Sequence, residues 1–172
     1  LEVKEGRHDC TLINDSYNSD INSLDIALDF MSRRPDAKER QRVLILSDIY
    51  QTGKPLSQLY SEVSALMKQR GVDQFIGIGP EICAHQDCFQ LPNSSFFITV
   101  QDFIDSELFS NLRDNIILLK GARRFGFDKI TELLVKKVHE TTLEVNLSAL
   151  VQNLNFYRSY LKQDTKLVCM IR

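Results

Sequence analysis

No stretch of this chain stays apolar for the roughly 20 residues that a membrane-spanning helix requires. An excess of charge of one sign is missing as well. Lys and Arg number 21 against 23 Asp and Glu, a formal net charge of −2. That balance offers no broad basic surface to nucleic acid or to an anionic membrane, and neither is expected as a partner. Leu1 to Arg7 is charged and short of apolar residues, so no secretory signal is expected there and the expected setting is cytoplasmic. The four cysteines, Cys10, Cys83, Cys88 and Cys169, are scattered among apolar segments, the pattern of reduced structural thiols. Cys83 and Cys88 flank His85, but their spacing fits no common zinc pattern and no second ligand pair follows, so no metal site is expected. A P-loop, a nucleophile–His–acid set, internal repeats and low-complexity runs are all missing. His8, His85 and His139 stand in unrelated contexts and read as surface or edge residues.

What remains is the composition of an ordinary globular protein, 43% hydrophobic and 26% charged over 172 residues, enough for one full domain and a small addition. Thr11 to Ile13 reads as a strand, and Ile21, Leu24, Ala27, Leu28 and Met31 then fall at helical spacing until Pro35 ends the helix. Arg42 to Asp48 is a continuously apolar strand, as one covered on both faces should be. A helix carrying Leu59, Val63, Leu66 and Met67 follows and stops at Gly71. Strands at Phe75 to Gly79, Phe96 to Thr99 and Ile116 to Leu119 alternate with helical signals at Pro80 to His85, around Phe103 to Leu108, and from about Phe127 to Lys137. This alternation predicts an α/β fold, a mostly parallel sheet with helices on both faces. The pattern then changes. A strand at Thr142 to Leu147, a helix capped by Asn146, and an apolar strand at Lys166 to Ile171 predict a C-terminal strand–helix–strand extension, too small to bury a core of its own. An exposed strand there would invite self-association.

The organising stretch is Leu12-Ile13-Asn14-Asp15-Ser16-Tyr17-Asn18-Ser19-Asp20, where a strand gives way to a polar loop and then to a helix. Ligands of open α/β sheets sit outside the carboxyl ends of strands, which puts Asp15, Tyr17 and Asn18 where chemistry is expected. The same residue types also turn chains and cap helices, and that reading stays open. Three strand ends carry charges that could converge: Asp15, Asp48 and Lys120. The basic run Lys120-Gly121-Ala122-Arg123-Arg124 precedes a helix, where an anion is favoured, although a solvated helix start would look the same.

Asn14-Asp15-Ser16-Tyr17-Asn18, then Val43 to Ile49 with Gly53, then Leu118-Leu119-Lys120-Gly121-Ala122-Arg123 resemble in this order the carboxyl-terminal domain of the Mur ligases. Within that family the likeness is to the branch that adds D-alanyl-D-alanine to a UDP-muramoyl peptide. The family patterns are Asp-Ser-Tyr-Asn-Ala-Asn-Pro, Leu-Gly-Asp-Met and Lys-Gly-Ser-Arg. Departures stand at Asp20 and Ile21 (usually Asn-Pro), Ser47 (glycine), Gln51 (glutamate) and Ala122 (serine). The tail, Leu143 to Leu154, is similar to the opening of alanine racemase, and Lys166 to Arg172 to its first barrel strand. In that family the strand ends on the lysine that holds pyridoxal phosphate. Here that position is Arg172, which stays protonated and cannot form a Schiff base.

The combined resemblance implies a Rossmann-like Mur ligase domain over residues 1–138 and a truncated start of an alanine racemase domain over residues 139–172. Together these imply a slice of a bifunctional enzyme of peptidoglycan biosynthesis and cell wall biogenesis. The parent would use ATP and Mg to join D-Ala-D-Ala to the UDP-muramoyl peptide, and pyridoxal phosphate to interconvert L- and D-alanine. By the same resemblance Asp15, Tyr17 and Asn18 approach the nucleotide, with Asp15 at the ribose. Lys120 and Arg123 face anionic groups of phosphate or dipeptide. No catalytic residue and no tightly bound cofactor are expected on the slice itself, which is expected to be inactive alone. Two other readings are a receiver-like regulatory module, whose phospho-acceptor would stand on the third strand rather than at Asp48, and a non-catalytic linker.

Overall fold

The computed structural model describes residues 1–16, 20–50, 53–136, 145–162, 164–166 and 168. The chain divides into two compact units, Leu1–Lys136 and Lys137–Arg172.

The first unit is built on six strands, β1 (Glu2–Glu5), β2 (Thr11–Asp15), β3 (Gln41–Ser47), β4 (Gln74–Ile78), β5 (Ser94–Phe97) and β6 (Asn115–Lys120). They lie in the order β1-β2-β6-β3-β4-β5, and every pairing is parallel except β1 with β2. Helices α1 (Ile21–Ser32), α2 (Leu56–Arg70) and α3 (Pro80–Ala84) connect β2 to β5 stepwise across the sheet. Their apolar residues, among them Leu24, Leu28, Val63, Met67 and Ile82, pack with Ile13, Leu44, Phe75 and Leu118 on one face. The return from β5 to β6 runs through α4 (Val100–Ile104) and α5 (Glu107–Ser110), and α6 (Asp128–Leu134) follows β6. Phe103, Ile130 and Leu134 pack with Leu12, Ile45, Ile76 and Leu119 on the opposite face. Right-handed crossovers demand this division: connections that travel one way lie on one face, and the connection that travels back lies on the other. The strand residues sort between the two faces by alternation, as a period of two requires.

The α/β architecture agrees with the reading of the sequence, with one addition. Strand β1, Glu-Val-Lys-Glu, carries no apolar periodicity and pairs only at the edge, where charge is tolerated. Helix α6 is shorter than the pattern predicts. Val135 turns extended and bridges to Gly6, and the Lys136 N–H donates to the Glu5 carbonyl at 2.9 Å, so the chain leaves helix for sheet edge.

Helix α1 starts at Asp20, whose side chain accepts from the Ser23 N–H at 2.9 Å and from the Ser23 hydroxyl at 2.5 Å. These bonds hold its carboxyl below the ordinary aspartate value of 3.8. The cap's contribution is therefore complete above that pH and is lost as pH falls through the lowered folded-state value. Asp20→Ala is expected to cost about 1 kcal/mol in urea unfolding near neutral pH. Asp20→Asn keeps a capping oxygen, so its stability should change less than wild type between neutral and acid pH.

In the second unit, α7 (Leu147–Ser159) is capped by Asn146, which accepts from the Ala149 N–H at 3.0 Å. The strand expected over residues 142–147 lies largely outside the described residues; Val145 and Asn146, which are described, are not in a strand. The strand expected over residues 166–171 also lies mostly outside them, and Lys166 and Val168 are not in a strand. Arg172 lies outside them too. Among the described residues no helix is long and apolar enough to cross a membrane.

Candidate functional site

Strand β6 lies between β2 and β3, and its connection leaves toward the face opposite to theirs. The carboxyl ends of these strands therefore part around a crevice, the place where open α/β sheets take ligands. All six residues of β6 are buried, including Lys120 at its end. An ammonium so placed needs a partner, and the parallel register supplies one, because Asp15 pairs with Lys120 across β2 and β6. The Lys120 Nζ donates to Asp15 Oδ2 at 2.5 Å, with the lysine side chain 1% and the aspartate side chain 21% exposed.

Above this pair is a cleft of about 310 Å³ whose lining includes Glu2, Asn14, Asp15, Ser16, Arg123 and Asp128. Arg123 reaches it from a 3-10 turn, Arg123–Phe125, that follows β6. Two residues that the resemblance singles out, Asp15 and Arg123, thus line one cleft, with Lys120 buried under Asp15. Tyr17 and Asn18 lie outside the described residues. The turning role of this loop is also present: Asn14 Oδ1 accepts from the Ser16 N–H at 3.2 Å and from its hydroxyl at 2.6 Å.

Asp48 does not join the convergence expected of it. It is fully buried, and its Oδ1 accepts from the Ile82 N–H at 2.8 Å. Its Oδ2 accepts from the Glu81 N–H at 3.3 Å and from the Tyr50 hydroxyl at 2.8 Å, so the carboxylate anchors the start of α3. Burial, then the hydrogen bond to Asp48 and that carboxylate's charge, push Tyr50 up to about 12, and it remains a neutral donor. The basic run after Lys120 does not lead straight into a helix. The 3-10 turn separates Lys120 from the short α6, and the Ala122 N–H is already donated to the Ser47 hydroxyl at 2.8 Å. The positions that depart from the Gly and Ser of the family pattern, Ser47 and Ala122, are thus bonded to each other.

Reading the sequence missed Ser16, Asp128 and Tyr50 as neighbours of the site. Ser16 stood within the quoted motif, and Asp128 in the first turn of α6 offered a weaker signal. Of the cysteines, Cys10 and Cys83 have thiols pushed up by burial, and Cys88 is a free thiol. His85 lies with Nδ1 2.8 Å from the Glu81 carbonyl and its ring against Tyr60. Among the described residues no group of three or more His, Cys, Asp or Glu could hold a metal ion. A larger cleft, about 620 Å³, opens at the amino ends of β3 and β4 between Lys38, Arg42, Asp73 and Asn93. Arg42 is spent there on a two-pronged pair with Asp73, which leaves the smaller cleft as the better candidate.

The receiver reading fails on topology. Receiver sheets run 2-1-3-4-5, with the first strand between the second and third. Here the first and second parallel strands, β2 and β3, are separated by the last, β6.

No family model matches the chain. Several solved structures share its fold. The MurF ligase from Thermotoga maritima in complex with ADP superposes with a TM-score of 0.60 at 13% identity, over 77% of this chain and 29% of that one. MurF from Acinetobacter baumannii gives 0.60 at 17% identity, with 77% and 29% covered. The UDP-N-acetylmuramoylalanyl-D-glutamyl-2,6-diaminopimelate–D-alanyl-D-alanyl ligase from Acinetobacter baumannii gives 0.59 at 18%, with 77% and 28% covered. At such identities the likeness is one of fold, an α/β fold that the matched part of these MurF chains shares. The chain spans less than a third of the length of these proteins.

Proposed function

We propose that the chain is the slice of a bifunctional peptidoglycan-precursor enzyme in which residues 1–138 close over nucleotide and dipeptide in a MurF-type ligation and residues 139–172 begin an alanine racemase. The observation that carries the ligase half is the Asp15–Lys120 pair at the crevice, under a cleft that Arg123 also lines. A carboxylate there can accept from a sugar hydroxyl, Arg123 can meet phosphate or a dipeptide carboxylate, and Lys120 adds positive charge from beneath. The resemblance assigns Tyr17 and Asn18 to the nucleotide as well. ATP supplies the phosphoryl group that activates the muramoyl-peptide carboxylate. This chain's part is to position and to neutralise charge rather than to form bonds. The resemblance assigns the magnesium ligands to the rest of the parent. Pyridoxal phosphate does not fit the residues present. The racemase half rests on the resemblance of residues 143–172 alone, and Arg172 stands where the Schiff-base lysine belongs.

The test is product formation. The full-length parent, given ATP, UDP-muramoyl tripeptide and D-Ala-D-Ala, is expected to release ADP and the pentapeptide product. The 172-residue chain is expected to yield neither that product nor racemised alanine. Turnover by the isolated chain, or an Asp15→Ala parent that ligates as well as wild type, would overturn the proposal; the second result would favour a non-catalytic linker.

A further inference from the structure

Arg123 sits in an exposed turn, where an arginine ordinarily samples many rotamers, yet the residues on both sides of it are fastened to the loop after β3. Before it, Gly121 is pressed against the Phe127 ring so closely that a Cβ would come within 2.9 Å. The Ala122 N–H is held by the Ser47 hydroxyl, which in turn donates to the Asp48 carbonyl at 3.1 Å. After it, the Arg124 guanidinium lies 3.8 Å from the centroid of the Tyr50 ring and donates to the Tyr50 hydroxyl. The Tyr50 and Phe125 rings are nearly parallel, 14° apart in plane and 6.2 Å between centroids. The Tyr50 hydroxyl ends on Asp48, itself fastened to α3. Inside the turn the Phe125 N–H closes on the Ala122 carbonyl at 3.0 Å and the Gly126 N–H on the Arg123 carbonyl at 3.2 Å.

We infer that Ser47, Tyr50 and Arg124 are positioning residues for Arg123: they pull the turn toward β3 on either side of it and so hold its side chain in the cleft with Asp15, Ser16 and Asp128. An exposed cation–π contact adds little to global stability, so stability does not account for the Arg124 guanidinium laid on the Tyr50 ring beside Phe125. Orientation does, because a group that meets an anion acts through its placement. The inference rests on the proposed function only for its catalytic consequence; the ordering of Arg123 is independent of it.

Two measurements test it. In the 172-residue chain, 15N relaxation of the Arg123 Nε–Hε group is expected to report an ordered side chain. Arg124→Ala or Tyr50→Leu should loosen it toward the behaviour of a fully solvated arginine side chain. Tyr50→Phe keeps the ring and loses the hydroxyl, and should fall between. In the parent, Arg124→Ala is expected to raise KM for the anionic substrate that Arg123 meets by about tenfold, leaving kcat nearly unchanged. An Arg123 equally ordered, or equally disordered, in wild type and Arg124→Ala overturns the inference. So does an unchanged KM in an active parent. A wild-type parent without ligase activity would instead remove the proposed function, and the relaxation result would still decide the clamp.

Discussion

An Asp15→Ala domain is expected to unfold about 3 kcal/mol more readily than wild type, and a Lys120→Met domain is not. The asymmetry follows from where the two charges sit. Lys120 is fully buried in β6 and Asp15 is partly open to water. Removing the carboxylate strands an ammonium between β2 and β3 with its main counter-charge gone. Removing the ammonium leaves a carboxylate that water can reach, and the methionine fills the lysine's volume with apolar atoms. The partial exposure of Asp15 places the loss toward the low end for broken buried pairs. Urea unfolding of the three proteins at one pH measures both differences. Equal losses in the two variants would mean that the pair is not the anchor its geometry describes. If the proposed function holds, the order reverses for activity: Lys120→Met folds but loses the cation beneath the cleft, so ligation by the parent falls while stability does not.

Gly79→Ala is expected to be at least as damaging, about 3–5 kcal/mol and a fall of roughly 10 °C in Tm, from left-handed backbone strain and a displaced buried carboxylate. Gly79 has φ +140, a conformation that L side chains rarely adopt, and its Cβ would stand 2.4 Å from the Asp48 carboxylate. Asp48 cannot retreat without giving up the N–H groups of Ile82 and Glu81 and the Tyr50 hydroxyl. The damage should reach the clamp as well, so amide exchange at Ala122 and Arg124 is expected to accelerate along with that of α3. A thermal melt within 2 °C or so of wild type would contradict the account of Asp48 as an anchor.

What could be read from the sequence followed from burial. The strands of the parallel sheet announce themselves as apolar runs because both of their faces are covered, and the helices by spacing. Strand β1 could not be read, since Glu2-Val3-Lys4-Glu5 is an edge with charge on both faces. Strand order was not legible either, and that order makes the site. Nothing local says that β6 enters between β2 and β3, so the sequence offers Asp15 and Lys120 as charges that could converge, and strand order decides that they meet across 105 residues. Asp48 looked like a site residue because it is an acid at a strand end. What distinguishes it is the glycine 31 positions on, whose missing Cβ leaves room for α3 to start on that carboxylate. The roles of Ser47 and Tyr50 depend on the partner loop and leave no mark in their own neighbourhood.

The bridge between Gly6 and Val135, with Lys136 bonded to Glu5, brings the first and last stretches of the sheet unit side by side. The stretch that ends β1 thus spends edge main-chain groups within its own chain, groups that a foreign strand could otherwise pair with.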